Sequence, residues 1–278
     1  MKKFVIAVIL LAAMIAPSFS AGYDDLNAAI SYFNQGRKDD AIVWFTKAIQ
    51  DGDLLPDQKR IAYLDRGLTY AANNDANNAL ADYTAAIAAK PDDLLAYQER
   101  AAVYVALGDF EKANADYAAL LKLQPRDYST RMIYGWMSWQ LGQFQSAGEA
   151  FYYFSNTKTE AWLWLQLANV QLGKPVDDFK GNASMIYATS AREFARSWPV
   201  PMARFFKGEI SEADALSAAP DRDVCSANIY LGLWHLVHKE QQQAQGSLDA
   251  AEAKCGKSGE YWRIAHAELA KMKGEAPK

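Results

Sequence analysis

Few side chains in this 278-residue sequence could do covalent or metal chemistry. There are three histidines: His235 and His238, three apart and so neighbours on one helix face, and His266. A zinc site needs three or four protein ligands, and nothing in the sequence supplies the remainder at ligand spacing. The sequence carries no glycine-rich phosphate loop, no nucleophile elbow and no paired metal-binding motif. Carboxylates abound, but none stands with a base. The expectation is a protein that is not an enzyme, with no metal and no cofactor.

The residues better suited to binding are large and apolar. Met132, Trp136 and Trp139 follow an i, i+4, i+7 spacing that aligns them along one helix face. Leu163, Trp164 and Leu167 join them from the next helical stretch. Such side chains converging on a groove would receive a peptide or a helix in search of a pocket. The same spacing also suits a core, with residues 174–222 folding back over the stripe. Both arrangements stand at this point.

The elements that hold these residues are helical. Alanine, by far the commonest residue, favours helices and is depleted from strands. Nine prolines and sixteen glycines are too few for a low-complexity chain, and 51% apolar residues are too many for disorder. A formal charge of −4 argues against nucleic acid as a partner.

An internal repeat organises the helices. Gly36, Asn74, Gly108 and Gly142 align as turns, each followed five residues on by Ala41, Ala79, Ala113 or Ala147. Four further on stand Phe45, Tyr83, Tyr117 and Phe151. Pro91 and Pro125 close two units 34 residues apart. Upstream, Gly67, Ala101 and Gly135 hold a small position where two helices would cross closely, with the aromatic filling the gap beside it. Arg66 and Arg100 share a repeat position, as do Asp82 and Asp116, which predicts a recurring ion pair between the two helices of a unit.

This pattern resembles the tetratricopeptide repeat (TPR) family. The resemblance implies an all-α fold, a TPR helical-hairpin solenoid of about five to six repeats whose first helices line a concave face. On that face would lie Leu26, Ile30 and Phe33, then Leu64 and Leu68, then Gln98, Ala102 and Val105, and then the aromatic stripe. The array spans residues 21–173. Pro175, Pro199, Pro201 and Pro220 interrupt a divergent helical segment, 174–222, in which Ser211 and Asp214 predict a capped short helix over Glu212–Ser217. Residues 223–278 read as a last repeat and a capping helix, with Trp262, Ile264, Ala265, Leu269 and Met272 inward.

Residues 1–20 read as a signal peptide: Lys2 and Lys3, an apolar run from Phe4 to Ala16, then small residues at Ser18 and Ser20 with cleavage before Ala21. The run is shorter than the roughly 20 residues of a membrane-spanning helix. The expected product is a soluble periplasmic protein with no membrane span, its charge about −6 once Lys2 and Lys3 are removed. Cys225 precedes the first helix of the last repeat and Cys255 ends its second, so both lie at one edge of a hairpin. In an oxidising compartment that placement predicts a disulfide.

A signal sequence, several repeats, the stretch Trp198–Ser211 (WPVPMARFFKGEIS) and then Asn228–Glu240 (NIYLGLWHLVHKE) is an arrangement similar to the bacterial NlpI-type lipoproteins. The resemblance implies a dimeric periplasmic adaptor, a homodimer that brings together other periplasmic proteins such as cell-wall hydrolases and a processing protease. The chain lacks that family's lipidated cysteine, so anchoring in the outer membrane is not implied. The function expected is an exported scaffold for protein–protein interactions in the cell envelope. The alternative is a periplasmic carrier holding a small amphiphile or glycan fragment in the aromatic groove.

Overall fold

The structure, a computed structural model, describes residues 21–155, 157–174, 198–257 and 259–274. The expected signal peptide, residues 1–20, and the break at Pro175 lie outside the described residues. Among the described residues all regular structure is helical. The chain divides into two compact units, one ending at Val103 and the other beginning at Tyr104.

The first unit holds helices α1 (Ala21–Asn34), α2 (Lys38–Gln50), α3 (Pro56–Ala72), α4 (Ala76–Ala89) and most of α5 (Leu94–Ala106). They pair as antiparallel hairpins, α1 with α2 and α3 with α4. Proline opens α3, where its missing N–H costs nothing. Asp75 caps α4 by accepting the Asn78 N–H at 3.2 Å. The hairpins turn at Gly36 (φ 71°) and Asn74 (φ 59°), in the left-handed region that glycine enters freely and asparagine tolerates.

Within the α3/α4 hairpin the aromatic Tyr83 is fully buried, and Gly67 lies against its ring. A Cβ at Gly67 would come within 2.8 Å of the ring. The small position of the repeat is thus a point of close helix crossing. Arg66 of α3 closes a bidentate pair with Asp82 of α4, at 2.8 and 2.7 Å, and donates also to Thr46 Oγ1 of α2. Arg100 likewise donates to Thr84 Oγ1 at 3.0 Å. Each arginine therefore ties its helix to the second helix of the preceding repeat.

The second unit runs from the end of α5 through α6 (Phe110–Leu123), α7 (Tyr128–Gln140), α8 (Phe144–Ser155) and α9 (Thr159–Gln171). After residues 175–197 come two short helices, α10 (Val200–Phe206) and α11 (Glu212–Ser217). Ser211 caps α11 through the Asp214 N–H at 3.1 Å, over the residues that the sequence indicates. The hairpin of α12 (Val224–Val237) and α13 (Gln241–Lys254) follows, and α14 (Glu260–Met272) packs against both its helices. Gly135 faces Phe151 across the α7/α8 hairpin, and Gly232 faces Leu248 across α12/α13. A Cβ there would approach to 2.6 and 2.7 Å. Cys225 and Cys255 form a disulfide, their Cα atoms 5.1 Å apart, closing a 30-residue separation.

Candidate functional site

Five of the six stripe residues are interior. Trp136, Trp139, Leu163, Trp164 and Leu167 are at most 4% exposed, and Met132 is half-buried. Trp164 is the hub, its ring centroid 5.9 Å from Trp139, 5.7 Å from Phe151 and 5.9 Å from Tyr230. Every residue from Ala161 to Ala168 of α9 is buried, so this helix is enclosed on all sides. Helices α10 and α12 pack on it, and Met202 and Phe206 of α10 enter the same core. Of the two arrangements open in the sequence, the stripe takes the covered one. The cover comes from α10, inside the divergent segment, and from α12 beyond it.

A polar cluster that the sequence did not announce sits beside this core. The Glu160 carboxylate, at the start of α9, accepts from the hydroxyls of Tyr261 (2.5 Å), Tyr128 (3.3 Å) and Tyr230 (3.5 Å). Burial, with Tyr261 and Glu160 alongside, pushes the Tyr230 phenol well above its ordinary value. These bonds tie α7, α9, α12 and α14 together at one carboxylate. Trp136 also lines, with Phe110, Met137 and Ile264, a small and mainly apolar cavity of about 20 Å³.

The histidines go separate ways. His235 is buried, its Nδ1 2.6 Å from Glu240 and its Nε2 3.2 Å from Glu212. His238 meets the Trp234 carbonyl at 2.7 Å, and His266 meets Glu252 at 2.7 Å while stacking on Trp262. Among the described residues no three His, Cys, Asp or Glu side chains converge to hold a metal ion. No described helix is long and apolar enough to cross a membrane.

In the first unit the first-helix positions are more open. Leu26 and Leu64 are buried, Ile30, Phe33 and Leu68 are half-buried, and Gln98 and Ala102 are exposed. Asp65 and Glu99 stand one residue along from Leu64 and Gln98, and three before Leu68 and Ala102. Burial raises the Asp65 carboxyl to about 6 against a small opposing pull from Arg60, and it raises Glu99 too. Both carboxyls thus stand beside more open first-helix positions, at equivalent places in α3 and α5. Their spacing of one repeat was the signal in the sequence.

Comparison with known proteins agrees with this architecture. The tetratricopeptide repeat family model matches residues 26–94 and 99–154. A tetratricopeptide repeat protein from Parabacteroides merdae is 18% identical, with TM-score 0.50 over 89% of this chain and 98% of its own. YrrB, described as a TPR protein with an unusual peptide-binding site, is 18% identical, with TM-score 0.42 over 82% of this chain and 97% of its own. The first TPR of Spaghetti (RPAP3), solved with an HSP90 peptide, is 26% identical, with TM-score 0.37 over 44% of this chain and 95% of its own. No curated protein matches the chain. Residues 26–94 and 99–154 carry tetratricopeptide repeats, in a fold shared with solved tetratricopeptide repeat proteins.

Proposed function

We propose that this chain is a non-catalytic scaffold, exported to the cell envelope, that holds other proteins through the first-helix face of its N-terminal repeats. The observation that carries the reading is the contrast between the two units. In the second unit the aromatic stripe is packed away beneath α10 and α12, whereas α3 and α5 keep Leu68, Gln98 and Ala102 accessible beside Asp65 and Glu99. A partner helix laid there would cover the apolar positions and set basic side chains against carboxylates whose proton affinity burial has raised. Export is supported by the signal-like residues 1–20 and by the disulfide, which persists in an oxidising compartment. Peptidoglycan-processing enzymes are the partner class that the NlpI-type resemblance suggests.

The test is a capture experiment with the mature chain from an envelope extract, comparing the native protein with Gln98→Arg and Ala102→Arg. Both positions are exposed, so the changes should leave stability within about 0.5 kcal/mol. The reading expects the same identified partners to be retained by the native chain and lost by both variants at unchanged Tm. Equal retention by the variants would place binding elsewhere.

A further inference from the structure

The first turn of α1 meets the end of α2 at a group of carboxyls. Asp25 of α1 is 6% exposed. Its Oδ1 accepts from Lys47 Nζ at 2.8 Å, and its Oδ2 is buried without a hydrogen-bond partner among the described residues. Asp51 follows the last residue of α2, and the Asp25 carboxyl beside it raises its proton affinity, with the charge of Asp53 adding and Lys47 opposing. Asp53 reaches α1 itself. A Cβ at Gly22 would collide with Asp53 Oδ1 and lie 3.1 Å from the Ala48 carbonyl, in the last turn of α2. Three carboxyls and the negative end of the α2 dipole thus gather at the start of α1, and Lys47 brings one positive charge to them. They are not arranged to share a metal ion.

The place of this group on α1 points to its partner. Ala21 begins the helix, and Gly22, against which Asp53 lies, is the next residue. Asp25 stands four residues beyond Ala21, and a helical side chain leans back over the turn before it, so this carboxylate lies on the Ala21 side. Ser18 and Ser20 read as the small residues of a cleavage site before Ala21. Hydrolysis there splits the Ser20–Ala21 amide with one water, leaving a carboxylate on Ser20 and an amine on Ala21. Such an amine, of ordinary pKa about 8, carries a proton at neutral pH. We propose that the α-ammonium of Ala21, released by signal-peptide cleavage, pairs with Asp25 and Asp53 and ties α1 to the end of α2. In the precursor the same nitrogen is an uncharged amide, so the pair forms only in the exported chain. The inference rests on the export reading for the cleavage, while the pairing rests on the geometry of the carboxyls.

The experiment compares the chain beginning at Ala21, released from a cleavable tag, with the same chain enzymatically acetylated at Ala21. Hydrogen exchange is followed by mass spectrometry over the amides of Leu26–Asn34, beyond the first turn. At an ordinary helix start an ammonium opposes the dipole, so acetylation slows exchange or leaves it unchanged. Here acetylation should speed exchange by about two- to five-fold, the strength of a solvent-screened ion pair. The acceleration should shrink in Asp53→Asn, a change at an exposed position that leaves the fold intact. Slower or unchanged exchange after acetylation overturns the pairing, and so does an acceleration of equal size in Asp53→Asn. N-terminal sequencing of the chain exported by intact cells tests the cleavage separately. An N-terminus other than Ala21 overturns the maturation step, whereas the free and acetylated chains still read the pairing.

Discussion

Replacing Gly135 by alanine adds one methyl group where α7 and α8 cross closely. The new Cβ would lie 2.6 Å from Phe151 Cε1 and 2.8 Å from its Cζ, where apolar carbons rest at about 3.5–4.0 Å. The ring would have to retreat by nearly an ångström. It has nowhere to go, because Phe151 is fully buried and stacked on Trp164 at a centroid distance of 5.7 Å. Overpacking of this kind costs about 1–3 kcal/mol, and the better helix propensity of alanine returns about 0.5–1 kcal/mol. The net expectation is a destabilisation of up to about 2.5 kcal/mol, a fall in Tm of up to about 10 °C for a protein of this size. Gly246 of α13 is the internal control: it is exposed, and a Cβ there meets nothing within 4 Å. Gly246→Ala should therefore stabilise, by about 0.5–1 kcal/mol. Thermal denaturation followed by circular dichroism reads both. The same substitution should have opposite signs at the two sites. Equal stabilisation at both would refute the claim that the repeat's small residue is required by helix approach.

Other perturbations follow from the same structure. Asp65→Asn should raise stability by about 1 kcal/mol at pH 7.5 and by nothing at pH 4. The folded carboxyl at about 6 holds its proton more tightly than in the unfolded chain, so its stabilising contribution is full below about pH 4 and lost as pH rises through 6; urea titrations at the two pH values check it. Cys225→Ser with Cys255→Ser opens a 30-residue loop and should cost about 3–4 kcal/mol, read as a lower urea midpoint that reductant no longer changes. Lys239 turns the α12/α13 hairpin at φ 65°, where the other repeats use glycine or asparagine. Lys239→Gly should relieve that backbone and raise stability by about 0.5–1 kcal/mol, measured by the same denaturation.

The repeat pattern was legible because it is local. The turns at Gly36, Asn74, Gly108 and Gly142 all take positive φ, and the small residues at Gly67 and Gly135 sit under their aromatics, since each device needs only two neighbouring helices. The fate of the stripe was not local. Met132, Trp136 and Trp139 have the spacing of one face, but that spacing does not say what covers the face. The clue lay in α9, where every residue from Ala161 to Ala168 except Gln166 is apolar, so that the helix had to be enclosed. The Glu160 cluster was harder still: Tyr128, Tyr230 and Tyr261 come from three helices spread over more than a hundred residues, with no periodicity linking them.

The most direct test of the central claim is site-specific photo-crosslinking in intact cells. A photoreactive side chain is placed at Ala102 on the open face, at Val43 on a second helix (63% exposed), or at Trp139 in the buried stripe. The account predicts discrete protein adducts from Ala102 and none from Trp139 or Val43. Protein adducts from Trp139 with Ala102 silent, or an adduct of small-molecule mass at the stripe, would contradict it.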